Sequence, residues 1–313
     1  MKSFALISCI DDKKCIGNNK AYEKLKYFKD SILGKYNILN NTIKICPLKG
    51  LYIYIITIPY QYEYIKANTS KTARYLAKGC EKIGVDKCYL PFSELLCIPQ
   101  NDLCVRNRFT GNLIFHAMMT DIIQEISIKT GKNLPLMEIV IMQGNNVEEV
   151  KSALRILSSK VKYITVATKN KSGIENVLDE IYNDTGLAIG LTGDYNAAFR
   201  NADVIINFDS KLFVNSKIKG YILDYYSSGD VPYDRKKYIA TSSLNVGLPR
   251  GFPALSNNDI FKFYTFREFA ELILMHALDL ESLNYDELYS YTNLTHIQEL
   301  FKNSGYTLSV QGM

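Results

Sequence analysis

The 313-residue sequence has no tryptophan, only three histidines, and nowhere the ~18–20 consecutive apolar residues that a membrane-crossing helix needs. A spanning segment is therefore excluded. His276 and His296 stand too far from other candidate ligands in the sequence to suggest a metal site. No two of the seven cysteines, Cys9, Cys15, Cys46, Cys80, Cys88, Cys97 and Cys104, have the C-x-x-C spacing that chelates zinc or exchanges dithiols. Their odd number argues against a secreted disulfide framework, so reduced thiols in a cytoplasmic protein are the expectation. Long Lys/Arg blocks are also missing. The net charge of +5 comes from 37 basic and 32 acidic residues spread along the chain, which compels neither a nucleic-acid nor a membrane partner. Lys, Asn, Ile and Tyr abound while Trp is absent, a mixture that an AT-rich genome produces by itself. The 23 tyrosines accordingly carry no binding signal of their own. The opening MKSFALISCIDDKKCIG is broken by Asp11 and Asp12 and reads as a first strand rather than a signal peptide.

What is present is ordinary globular material, 47% hydrophobic and 22% charged, at a length that favours about two domains. From residue 137 a regular alternation sets in. MEIVIM (137–142) is a strand-length apolar run. Val147, Val150, Ala153, Leu154 and Leu157 then repeat at helical spacing. VKYITVAT (161–168) is a second strand, followed by a helix through Ile174, Val177, Leu178 and Ile181 that Gly186 closes. LAIGLT (187–192), a short helix over 194–201, VIINF (204–208) and GYILDYY (220–226) continue the series. Strands alternating with helices imply parallel pairing through right-handed crossovers, hence an α/β doubly wound sheet of the Rossmann-like type. SFALISCI, LYIYIITIP, a helix over 70–84 and KCYLPF suggest a smaller α/β domain ahead of it. The expected division is 1–108 for that domain, a connecting helix over 109–133, the Rossmann-like domain over 134–260, and C-terminal helices over 261–313 that pack on the crevice. The connecting helix has Ile114, Ala117, Met118, Ile122 and Ile126 in register, with Thr110 or Asn112 as its N-cap and Gly131 as its C-cap. Residues 245–255 read as a turn-rich loop.

Several constellations bear on chemistry. The turn after the first strand of the series is Gly144-Asn145-Asn146, where a dinucleotide turn of the G-x-G-x-x-G kind places three glycines; Asn146 and Glu149 stand at the second and third glycine positions. Asn tolerates left-handed backbone, so the turn can still present amides. Glu148 and Glu149 favour the helix dipole yet repel a phosphate. At about 4 Å and a surface-like dielectric that repulsion is on the order of 4 kcal/mol before screening, or ~10³-fold in affinity. A plain turn with solvated glutamates and a degenerate phosphate site both remain open. At the end of the second strand Thr168-Lys169-Asn170-Lys171 replaces the acid that NAD sites use, and suits a 2′-phosphate as well as it suits a solvated loop. Asn207 and Phe208 end the fourth strand and complete the candidate cofactor set. RNRFTGN supplies Arg106, Arg108 and Asn112 for an anion, and His116 follows one turn later, either as a general acid or as a satisfied core histidine. Asp11 to Lys14 at a strand end and the loop 223–234 are weaker candidates, as are Cys97 and Cys104 as nucleophiles.

A small α/β domain, a connecting helix and a strand-turn-helix opening a doubly wound sheet resemble the shikimate dehydrogenase and glutamyl-tRNA reductase group. RFTGNLIFHAMM is locally similar to the F-T-T-G-N segment of long-chain acyl carrier reductases, and ADVIINFD (202–209) to the fourth-strand A-D-I-V-I-N segment. The lysine of the shikimate enzymes, in its N-V-T-x-P-x-K context, has no counterpart here, and none of the cysteines aligns with the nucleophile of the reductases, so no catalytic residue carries over. The resemblance implies an oxidoreductase using NADP or NAD on a small anionic substrate in a cleft between domains. Arg106, Arg108 and Asn112 would hold the substrate and His116 would act as the acid. A non-catalytic ligand-binding or regulatory protein with a degenerate dinucleotide site is the alternative. In either case the expected partner is a small molecule, with a homodimer compatible with the sequence.

Overall fold

A computed structural model describes residues 2–9, 42–58, 69–89, 104–105, 110–171, 173–209, 218–226, 237–252, 259–262 and 264–311. The chain forms two compact units, one comprising 1–109 and 250–277, the other 110–249 and 278–313.

The first unit is built on a sheet ordered β2-β3-β1-β4-β5, with β1 (Lys2–Cys9), β2 (Thr42–Leu48), β3 (Leu51–Ile58), β4 (Lys87–Tyr89) and β5 (Cys104–Val105). All neighbours are parallel except β2, which lies antiparallel to β3. Helix α1 (Thr69–Ile83) leads from β3 to β4, and the described parts of the predicted SFALISCI, LYIYIITIP and 70–84 segments fold as the sequence predicts. Strand β2 was not anticipated. It carries Pro47, which a sheet tolerates on an edge strand, and its register slips between Ile45 and Leu48.

The second unit holds a six-stranded sheet: β6 (Glu138–Met142), β7 (Tyr163–Ala167), β8 (Gly190–Thr192), β9 (Val204–Asn207), β10 (Tyr221–Asp224) and β11 (Tyr238–Ala240). Its order is β11-β10-β9-β6-β7-β8 and every pairing is parallel. This is the doubly wound α/β order: the chain winds out from β6 to β8, returns to β9 and winds out the other way. The switch point falls between β6 and β9. Helices α2 (Asn112–Ala117), α3 (Met119–Thr130), α4 (Val147–Ser158), α5 (Glu175–Thr185) and α6 (Tyr195–Asn201) belong to this unit, with α8 (Tyr285–Leu288) and α9 (Tyr291–Asn303); α7 (Phe266–Ala277) belongs to the first.

The apolar runs of the strands explain the layering, because a strand covered on both faces buries every side chain. Val140, Met142, Ile205 and Ile222 meet Phe199 and Ala202 on one side of the sheet. On the 147–157 segment, Val150, Ala153, Leu154 and Leu157 are all buried, as their helical spacing predicts. Gly131 and Gly186 end their helices in the left-handed conformation expected of them.

The structure corrects four details. The connecting helix is broken at Met118 into α2 and α3. Gly111, with φ 81°, occupies the N-cap position of α2, while Thr110 Oγ1 accepts the Asn112 N–H at 3.3 Å. Of LAIGLT only 190–192 pairs, at the edge of the sheet. Part of the expected 245–255 loop is a strand: β12 (Leu244–Gly247) pairs antiparallel with β13 (Thr307–Val310). No helix among the described residues is long and apolar enough to cross a membrane.

Candidate functional site

Ligand sites of doubly wound sheets lie where the strand order reverses, at the carboxyl ends of the strands. Here that place is formed by the Gly144 turn after β6 and by Asn207-Phe208 at the end of β9. The two approach closely. An ideal Cβ on Gly144 would lie 1.8 Å from the Phe208 carbonyl oxygen and 2.6 Å from its carbon, so only glycine fits. Phe208 N–H donates to the Met142 carbonyl at 3.0 Å, which holds this contact shut.

Asn146 is the N-cap of α4, its Oδ1 accepting the Glu148 N–H at 2.8 Å. Its Nδ2 donates to Asp286 Oδ1 at 3.2 Å, so α8 lies over the turn. Glu148 pairs with Lys151 at 2.7 Å. Glu149 turns inward and is 1% exposed. Its carboxylate accepts the Tyr285 hydroxyl at 2.7 Å and the Tyr226 hydroxyl at 3.3 Å, and lies 3.6 Å from His116 Nε2. Tyr226 follows β10 and Tyr285 opens α8, so the first turn of α4 is covered by two separate parts of the chain.

His116, on α2, is enclosed by Phe208, Tyr225 and Tyr289, with ring centroids 5.5, 4.1 and 4.6 Å away. Burial pushes its imidazole down to about 3, since a charged ring loses its hydration there. Burial pushes the Glu149 carboxyl up to about 7; the hydrogen bonds from Tyr285 and Tyr226 oppose this and Asp286 reinforces it. Tyr225 is raised well above its ordinary value, first by burial and then by Glu149. The His116–Glu149 contact is therefore a neutral imidazole beside a carboxyl poised near neutrality. It is not a fixed ion pair.

The remaining predicted residues are placed as follows. Asn207 is buried and donates to Asp224 Oδ1 at 3.0 Å and to the Asp209 carbonyl at 2.9 Å. Tyr238 also donates to Asp224. The ends of β9, β10 and β11 are thus tied by a buried polar network. Thr168 is buried and its hydroxyl donates to the Asn170 carbonyl and accepts the Asn170 N–H, folding a tight loop from which Lys169, Asn170 and Lys171 project into solvent. Asn145 is exposed. The Asn112 side chain accepts the Thr241 hydroxyl. Arg106 and Arg108, the proposed anion anchors, lie outside the described residues, as do Asp11 to Lys14 and Cys97. Among the described residues no cluster of three potential metal ligands occurs.

Sequence reasoning missed Glu149 as a buried group and missed Tyr285 and Tyr238, while Asp224 and Tyr226 fell within the 223–234 candidate stretch without being singled out. Glu149 precedes Val150 and lies four residues before Ala153, a placement on the border of the apolar stripe that gave a faint signal. The tyrosines were hidden in a composition rich in them.

No family model and no curated protein sequence matches the chain. Solved structures give remote similarity only. The chain resembles L-tryptophan dehydrogenase from Nostoc punctiforme at 9% identity, over 97% of this chain and 83% of that one, with a TM-score of 0.34. Ornithine transcarbamoylase from Giardia lamblia gives 10% identity over 90% and 87%, with a TM-score of 0.32. Shikimate 5-dehydrogenase from Listeria monocytogenes gives 8% over 71% and 78%, with a TM-score of 0.27. These neighbours include both oxidoreductases and carbamoyltransferases, and similarity this low carries no argument about activity.

Proposed function

We propose that the second unit is a ligand-binding or regulatory domain of the Rossmann-like class, whose dinucleotide turn is taken up by the chain's own side chains. The observation that carries this is Glu149. It stands where a dinucleotide turn has its third glycine, and it is buried under Tyr285 and Tyr226 while Asp286 engages the N-cap Asn146. A pyrophosphate on the α4 amino terminus would have to displace α8 and face two carboxylates.

A second reading, an NADP-linked oxidoreductase acting on a small anionic substrate, is favoured by one specific observation. The loop after β7 projects Lys169 and Lys171 at the strand end where a 2′-phosphate binds in such sheets. In that reading His116 serves as a neutral hydrogen-bonding group, since burial keeps it deprotonated at ordinary pH.

Titration of the full chain with NADPH, NADH, NADP and NAD, followed by nicotinamide fluorescence and melting temperature, separates the two. The first reading predicts no saturable signal at millimolar nucleotide. NADPH binding that adds ~2.7 kcal/mol of stability at ~100 times its dissociation constant, and that is lost in Lys169→Glu, overturns it in favour of the second.

A further inference from the structure

We propose that Glu149 is a proton-controlled latch which, when protonated, holds Asn284–Leu288 over the first turn of α4 and, when ionised, releases it. This rests on the preceding reading only in that the turn uncovered is the same one.

Three features of the geometry carry it. First, the carboxyl is buried and its hydrogen-bond partners are two phenols, at 2.7 Å from Tyr285 and 3.3 Å from Tyr226, residues that are themselves 46% and 44% exposed. A small outward movement of Tyr285 therefore brings water to the carboxyl. Second, no cation among the described residues compensates the charge. Lys151 is committed to Glu148, and the ionisable groups around Glu149 are His116 from α2, Tyr225 and Tyr226 from the end of β10, and Tyr285, Asp286 and Tyr289 from α8 and its flank. None of these side chains supplies a positive charge, so an ionised Glu149 in the closed arrangement is a buried anion without a counter-charge among the described residues; the two phenol hydrogen bonds favour it, and the loss of hydration outweighs them. Third, α8 is a single turn of four residues, held by its Asn284–Glu287 capping box, by the Asn146–Asp286 bond, by Tyr285, whose ring also meets Tyr289 with centroids 4.5 Å apart, and by the Asn293 amide donating to the Glu287 carbonyl at 2.8 Å. A helix this short has little stability of its own. Tyr289, by contrast, is fixed by the buried bond from Ser152 to its carbonyl at 2.7 Å. The movement thus ends before Tyr289, and His116 stays enclosed and neutral.

The direction follows from linkage. In the closed form burial pushes the carboxyl up to about 7, and opening lets water reach it and moves it back toward its ordinary 4.5. Opening gains about tenfold per pH unit between those two values and levels off above the higher one.

The test is hydrogen exchange of the amides of 284–288 in the full-length protein without nucleotide, expressed as the ratio of wild type to Glu149→Gln at each pH. The amide side chain mimics the protonated carboxyl, and the ratio cancels intrinsic exchange chemistry. The latch predicts a ratio rising on the order of 100-fold across the window and flat above it, with the same slope retained in His116→Gln. A constant ratio, or a slope that vanishes in His116→Gln, overturns it. Should Glu149→Gln fail to fold, the carboxyl ¹³C resonance of Glu149 in the wild type decides: a midpoint near 7 that coincides with the plateau of exchange supports the latch, and an ordinary carboxylate midpoint refutes it. Since no nucleotide is present, this outcome is independent of the titration above.

Discussion

Gly144→Ala probes the packing at the switch point. The new methyl would start 1.8 Å from the Phe208 carbonyl oxygen, 2.6 Å from its carbon and 3.1 Å from the Asp209 Cα, and all three are backbone atoms. Reaching even 3.0 Å from the nearest one needs a shift of 1.2 Å (3.0 minus 1.8) between the turn and the end of β9. No rotamer change relieves such a clash. The movement strains the Phe208–Met142 hydrogen bond and the buried Phe208 ring against His116. Overpacking costs about 1–3 kcal/mol, and a weakened hydrogen bond adds roughly 1 kcal/mol. At roughly 2–4 °C per kcal/mol for a unit of this size, the melting temperature should fall by about 5–15 °C. Thermal denaturation followed by near-ultraviolet circular dichroism of the tyrosines reads this directly. Gly193→Ala is the matched control, because its methyl would find its nearest neighbour, the Thr168 carbonyl oxygen, at an ordinary 3.7 Å. That variant should melt within a degree or two of wild type, consistent with about ±0.5 kcal/mol at an unstrained site. Equal melting of the two variants would refute the close contact between turn and strand.

Global unfolding has a pH dependence different from that of the latch, because it exposes both buried groups. The Glu149 contribution is full below 4.5 and is lost as pH rises through about 7, whereas the His116 contribution is full above 6.5 and is lost as pH falls through about 3. Between 4.5 and 6.5 the two slopes, each about 1.4 kcal/mol per pH unit, oppose one another, so urea midpoints of the wild type should be nearly constant there. Glu149→Gln should become more stable with rising pH in this window, and His116→Gln less stable. Parallel slopes in the two variants would contradict the assigned burial.

The doubly wound unit was legible because its signals are local. IVIM and VII, residues 139–142 and 204–206, are continuous apolar runs that suit strands covered on both faces, and Val150, Leu154 and Leu157 mark one helical face. Strand–helix alternation then leaves few topologies. The β12–β13 pairing escaped because its two halves are about 60 residues apart and each is only four residues long. Periodicity does not report partners that remote. At the candidate site the Gly144 turn was visible, yet its occupant was not. Asn146 was read as a degenerate glycine position when its side chain in fact caps α4 and reaches Asp286. Solvation of Glu149 was one of two open readings of the turn, and the return of the chain at Tyr226 and Tyr285 covers the carboxyl instead. Long-range closure of this kind leaves no mark in the local pattern.

The central claim is that Glu149, Asp286 and their tyrosines occupy the place of a dinucleotide pyrophosphate. Its most direct measurement is residue-resolved hydrogen exchange of 146–150 and 285–288 at fixed pH, with and without millimolar NADPH. The account predicts superimposable exchange in both segments. New protection at 146–150 together with faster exchange at 285–288 would mean that the nucleotide displaces α8 and takes the turn, and would contradict it.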